Sequence, residues 1–204
     1  MRRLTDKTLV IASHNQGKIR ELRAMLNPLG YTLKTAADLD LPEPEETGLT
    51  FEENARLKAV AAATASKLPS LADDSGLAVD GLDGAPGIYS ARWAGPDKDF
   101  SHAMKRVHTE LTERSEHDRQ ARFVSVICLA WPDGHVEYFR GEVEGQIVWP
   151  PRGDQGFGYD PIFQPDGFDI TFGEMGADQK HGLDRPLSHR ARAFKRFAQE
   201  CLEG

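Results

Sequence analysis

Residues 8–29 read TLVIASHNQGKIRELRAMLNPL, and this stretch decides the fold class. Thr8 to Ser13 is a short apolar run with the pattern of a buried strand. From Lys18 the spacing changes: Ile19, Leu22, Leu26 and Leu29 recur at helical intervals until Gly30 ends the pattern. A buried strand that passes through a brief polar turn into an amphipathic helix is the opening unit of an α/β fold.

Outward from that unit, strand and helix patterns keep alternating. Tyr31 to Lys34 predicts a second strand, and Leu39 to Gly48 (LDLPEPEETG) an acidic, proline-containing loop. Thr50 and Glu53 form a capping box for an alanine-rich helix reaching about Lys67. Leu68 to Ala72 predicts a strand that runs into Asp73-Asp74-Ser75-Gly76 and then Leu77 to Val79, with the aspartate pair at a strand end. A glycine-rich loop follows from Gly81 to Gly95. Asp99 and Ser101 cap a helix to about Glu113, and Arg114 to Gln120 is a polar connection. Ala121 to Trp131 (ARFVSVICLAW) is the strongest strand signal. Pro132-Asp133-Gly134 turns it back into a hairpin partner over His135 to Val143, and Gln146 to Trp149 continues the sheet. After the loop Pro150 to Pro161, Ser188 caps a last helix whose apolar face is Ala191, Phe194, Phe197, Ala198 and Cys201. With no repeat, low-complexity tract or linker, residues 1–204 read as a single α/β domain around a mixed sheet.

Composition narrows the function classes. A chain of 204 residues has room for a real core, and its net charge of −7 offers no diffuse basic field for nucleic acid or an anionic membrane. Phosphate contact must come from a local cluster. Cys128 and Cys201 lie far apart in apolar or amphipathic surroundings, which suggests neither a disulfide framework nor a zinc site and fits a reducing, cytoplasmic compartment. The apolar run Leu9 to Ala12 is too short for a signal sequence or a membrane span.

Four segments carry residue types suited to chemistry. Ser13-His14-Asn15-Gln16-Gly17-Lys18 joins a buried strand to a helix N-terminus, where unpaired N–H groups and the helix dipole favour an anion and Lys18 adds a full charge. It is not a Walker A loop, since Ala12 stands where the first glycine belongs and Ile19 replaces the hydroxyl residue that holds magnesium. A plain strand-to-helix turn capped by Asn15 is the simpler account on local sequence alone. The carboxylates Glu43, Glu45 and Glu46, with Asp73 and Asp74, are hard oxygen donors of the kind that bind magnesium beside phosphates; a solvated acidic loop is the simpler account of the glutamates. Gly156-Phe157-Gly158-Tyr159-Asp160-Pro161 would let a flat ligand approach the backbone, with Phe157 to stack and Asp160 to accept an N–H, or it is an aromatic-packed turn. Ser188-His189-Arg190 opens the last helix, where an N-cap followed by surface residues is the plain alternative.

Taken in order, ASHNQGK at 12–18, Glu46-Thr47-Gly48, FEENARLK at 51–58, ADDSGL at 72–77, GAPGIYSAR at 84–92, FGYDP at 157–161 and Ser188-His189-Arg190 closely resemble the inosine triphosphate pyrophosphatase family, the diphosphatases of non-standard purine nucleoside triphosphates. The resemblance spans essentially the whole chain. It implies a two-lobed α/β fold with an elongated mixed sheet flanked by helices, a cleft between lobes and a homodimer. It implies magnesium-dependent hydrolysis of ITP, dITP and XTP to the monophosphate and pyrophosphate, which cleanses the nucleotide pool. Carried over by motif, Ser13, Asn15 and Lys18 hold the triphosphate within the loop that includes His14, Gln16 and Gly17. Asp74 is the catalytic acid/base and a metal ligand, Glu46 or Glu45 completes the metal site, and Asp73 and Lys58 lie nearby. Ser75 touches substrate, and Phe157, Gly158, Tyr159 and Asp160 enclose the base with His189 and Arg190. Family members carry a lysine a few residues before the histidine of Ser-His-Arg. Asp184 stands there in this chain, and Lys180 reads as that lysine displaced by an insertion around Leu183 to Pro186. Two rivals stay open on residues alone: a nucleotide sensor without catalysis, and a diphosphatase of pyrimidine or modified nucleotides.

Overall fold

The structure, a computed structural model, describes residues 1–114, 117–182 and 184–202. Leu183, in the inserted segment, and Ser115 and Glu116, in the polar connection, lie outside the described residues. Six strands form one mixed sheet in the order β2-β1-β3-β4-β5-β6: β1 (Thr8–Ile11), β2 (Thr32–Thr35), β3 (Ser70–Val79), β4 (Gln120–Ala130), β5 (Val136–Ile147) and β6 (Phe163–Pro165). β1 pairs in parallel with β2 and β3, and β5 pairs antiparallel with β6. The helices are α1 (Gln16–Leu26), α2 (Phe51–Ser66), α3 (Ser90–Trp93), α4 (Phe100–Glu113), α5 (Ala177–His181) and α6 (His189–Phe197). No helix among the described residues is long and apolar enough to cross a membrane.

The chain divides into two compact units: residues 1–74, 125–141 and 190–204 in the first, and 75–124 and 142–189 in the second. The first buries Leu9, Val10 and Ile11 of β1, Leu22 and Leu26 of α1, Ala55, Ala59 and Ala63 of α2, and Phe194 and Phe197 of α6. Small alanines on α2 let that helix lie close, and aliphatic side chains from β1 and α1 fill the remaining space. The second unit gathers Leu77, Val79, Val107, Leu111, Phe123, Ile162, Phe163 and Phe172, with Phe123 and Phe163 ring centroids 4.6 Å apart.

Local rules explain most boundaries. Asn15 caps α1 by accepting from the Lys18 N–H at 3.1 Å. The helix stops at Leu26 because Pro28 has no N–H to continue it, a short 3₁₀ turn follows over Asn27–Leu29, and Gly30 closes it at φ 74°. Leu29, expected on the apolar face, is consequently 39% exposed. Thr50 caps α2 through the Glu53 N–H, while the Glu53 carboxylate accepts from the Leu49 N–H at 2.6 Å. Three expectations need correction. The aspartate pair is in the interior of β3, not at a strand end, because both carboxylates find cationic partners that let the strand continue. β5 is one strand through Ile147, without a break after Val143. Finally, α3 falls within the segment read as a glycine-rich loop, and β6 and α5 lie between Pro161 and Ser188, where the sequence pattern assigned no element; each is five residues or shorter, too short to show a period.

Candidate active site

In the first unit the turn after β1 is held by its own polar groups. The Asn15 N–H donates to Ser13 Oγ at 3.2 Å, and the Asn15 side chain faces the Lys18 N–H. Ser13 is buried, His14, Asn15, Gly17 and Lys18 are partly buried, and Gln16 is exposed. The turn aims Lys18 Nζ at β3, where it lies 2.8 Å from Asp73 Oδ2 and 3.3 Å from the Asp73 carbonyl oxygen.

Successive strand residues point to opposite faces of a sheet, so the adjacent aspartates gather different partners. Asp73, 1% exposed, meets Lys18, the Ser125 hydroxyl on β4 and Arg190 at the start of α6, whose Nη2 lies 3.1 Å and Nε 3.3 Å from its carboxylate. Arg190 Nη1 donates to Glu21 of α1. Burial works to raise the Asp73 carboxyl, but the Arg190 and Lys18 charges hold it well below the usual carboxylate range. On the other face Lys58 of α2 places its ammonium 2.8 Å from Asp74 Oδ1 and 2.6 Å from Glu46 Oε1. Burial pushes Asp74 above the usual range despite Lys58. Glu46 is also desolvated, yet Lys58 holds it below that range. Glu45 is exposed to solvent.

Asp74 Oδ2 is buried with no hydrogen-bond partner. A bare carboxylate oxygen at such a position costs free energy unless a cation or a water completes it. With Glu46 beside it, the pair has the hard oxygen donors that magnesium prefers. Magnesium takes one or two protein carboxylates and completes its shell with water and phosphate oxygens.

The second unit holds the remaining sequence candidates. Asp160 Oδ2 accepts from the Phe157 N–H at 3.3 Å and from Lys180 Nζ at 3.0 Å, and Lys180 also donates to the Phe172 carbonyl at 3.2 Å. Lys180 is 3% exposed, so it is an internal tie of this unit. Gly156, at φ 80°, makes room for that tie: a Cβ there would stand 1.9 Å from Asp160 Oδ2 and 2.5 Å from Lys180 Nζ. Phe157 and Gly158 are partly buried. Tyr159 packs in the core, its hydroxyl donating to the Ser90 carbonyl at 2.8 Å. His189 stacks on Phe123 at 4.8 Å, and Ser75 is half-buried. Within the long 73–92 block, the Leu77 N–H donates to Ser90 Oγ, which in turn donates to the Gly87 carbonyl. A Cβ on Gly76 would meet that carbonyl oxygen at 2.3 Å.

Sequence reasoning missed two members of the charged cluster, Glu21 and Ser125. Glu21 follows Lys18 at i+3 on α1, a spacing that signals a shared helix face. Ser125 is a hydroxyl inside the otherwise apolar run 123–131, a pattern that asks for a buried polar partner.

Fold and charge cluster together define an α/β protein whose middle strand carries buried acids matched to lysines and an arginine. The Ham1 family profile matches residues 9–200. The chain is 62% identical to the dITP/XTP pyrophosphatase of Agrobacterium fabrum, over the whole of both chains, and 63% identical to that of Rhizobium meliloti, over 99% of each. Among solved structures, a Ham1 protein from Coxiella burnetii superposes with a TM-score of 0.86 at 36% identity, covering 95% of this chain and 97% of that one. The Staphylococcus aureus Ham1 protein gives 0.81 at 40% identity, covering 95% and 98%. The chain belongs to the Ham1 family. It is an enzyme, a nucleoside triphosphate diphosphatase.

Proposed function

We propose that the chain hydrolyses dITP, XTP and ITP to the nucleoside monophosphate and pyrophosphate, with magnesium as cofactor. The observation that carries this reading is the Glu46–Lys58–Asp74 cluster, with Lys58 and Asp74 buried, Glu46 partly buried and Asp74 Oδ2 left bare, next to a lysine at a helix N-terminus. The names of the Agrobacterium and Rhizobium relatives supply dITP and XTP, and ITP comes from the family resemblance of the motifs.

In this reading Lys18 and the N-terminus of α1 bind the triphosphate and offset its charge. Asp74 orients a water for in-line attack on the α phosphorus and takes its proton at Oδ2. The new bond joins the water oxygen to that phosphorus, the bond to the bridging oxygen breaks, and pyrophosphate leaves. Lys58, bonded to Asp74 and Glu46, keeps the two carboxylates close without full mutual repulsion. Magnesium, held by Asp74 and Glu46 with Glu45 as the alternative to Glu46, would supply Lewis-acid stabilisation of charge on the phosphates.

The base is assigned to the segment Phe157 to Asp160. A backbone donor there would pair with a 6-keto oxygen, whereas an adenine amino group would leave that donor unpaired, and sites of this kind discriminate by about 10⁴-fold or more. Base reading by Arg190 would require a guanidinium donor now facing Asp73 or Glu21 to turn to the nucleotide. A homodimer in the cytoplasm completes the proposal. The test is a product analysis over a panel of nucleoside triphosphates with and without magnesium. Monophosphate and pyrophosphate from dITP, XTP and ITP, much faster than from ATP, are expected; orthophosphate as the first product would refute attack at the α phosphorus.

A further inference from the structure

We propose that Ser125 is a positioning residue for the reaction: its hydroxyl sets the angle of the Asp73 carboxylate, and Asp73 in turn places the ammonium of Lys18. This rests on the reading that Lys18 binds the triphosphate. Ser125 is fully buried in β4, where residues 123–130 are all buried and, apart from Ser125, all apolar. A hydroxyl in such a place lowers stability unless it is bonded, and alanine would satisfy packing without that liability.

The partner of that hydroxyl is the charged hub. Ser125 Oγ donates to Asp73 Oδ1, an oxygen that also receives Arg190 Nε at 3.3 Å. The other oxygen, Oδ2, takes Lys18 at 2.8 Å and Arg190 Nη2 at 3.1 Å. Two cations therefore pull on Oδ2, while Ser125, with the longer Arg190 Nε contact beside it, holds Oδ1 against rotation about the last side-chain torsion, which is intrinsically soft. Rotation would carry Lys18 Nζ off the line it holds between Asp73 Oδ2 and the Asp73 carbonyl.

The experiment compares Ser125→Ala, Ser125→Thr, Lys18→Met and the double variant Ser125→Ala/Lys18→Met in the full chain, by steady-state kinetics on dITP and XTP and by thermal melting. Ser125→Ala should raise KM about fivefold with kcat changed less than about twofold, the signature of lost ground-state binding. Ser125→Thr keeps the hydroxyl and should recover most of the KM, and the double variant should match Lys18→Met alone because both act through one ammonium. Should Ser125→Thr fail to fold, the double variant decides. Wild-type KM in Ser125→Ala with a raised KM in Lys18→Met overturns the positioning role and leaves the proposed function standing. Unchanged KM in Lys18→Met overturns the triphosphate assignment itself. Additive effects in the double variant, or a melting loss with kcat and KM falling together, would make Ser125 merely structural.

Discussion

The Asp73 hub predicts a stability loss that can be worked from its geometry. Asp73→Asn keeps the shape of the side chain but removes the charge that balances buried Arg190 and partly buried Lys18. Arg190 is 1% exposed and would keep Glu21 as an anionic partner at its Nη1, while the amide nitrogen of the substituted side chain would face the donors that the carboxylate now accepts. Breaking a buried pair by neutralising one partner costs about 3–5 kcal/mol, and the retained Glu21 contact places this case near about 3 kcal/mol. For a chain of this size that corresponds to a melting decrease of about 6–12 °C. The pH dependence adds a sign. The folded Asp73 carboxyl lies well below its ordinary value, so its contribution is fully present above the unfolded pKa of about 3.9 and is lost as pH falls through the folded value. Urea unfolding of wild type and variant across the acid range measures both effects. Asp73→Asn should be less stable at neutral pH, and the gap should narrow in acid. A variant within about 1 kcal/mol of wild type at neutral pH, or a gap that widens in acid, would refute the hub.

Two further predictions concern the charged groups flanking the reaction. Asp74→Asn should retain the fold and measurable nucleotide binding while kcat falls at least about 10²-fold, the magnitude of a lost general base; a fall of less than about tenfold would transfer the base role to Asp73 or Glu46. Lys180→Ala strips the cation from Asp160 and the donor from the Phe172 carbonyl, so it should raise KM and lower the melting temperature together, whereas Arg185→Ala, at an exposed position, should leave both near wild type. A raised KM in Arg185→Ala with wild-type behaviour in Lys180→Ala would move the family lysine's role to Arg185.

The α/β class was legible from alternating periods: TLVIAS against the spacing of Ile19, Leu22 and Leu26, and the long apolar run of β4. Caps at Asn15, Thr50 and Asp99 were legible too, since each is a short-range hydrogen bond between residues two or three apart. The order of the loop, acid and aromatic motifs was enough to single out the candidate residues. Their partnerships were not. Asp73 and Arg190 stand 117 positions apart and Asp73 and Ser125 stand 52 apart, and pairing of that range leaves no period in the sequence. For the same reason the adjacent aspartates read as a strand end, because two charges inside a buried strand are plausible only once Lys18, Lys58 and Arg190 are known to arrive beside them. Lys180 shows the same division. The sequence identified a lysine near the last helix, and tertiary packing alone made it a buried tie to Asp160 instead of a solvated side chain. Local propensity and periodicity act over a few residues and so are written in the chain. Which face of β3 each carboxylate takes, and which cation neutralises it, depends on how distant elements pack, and only the folded structure decides that.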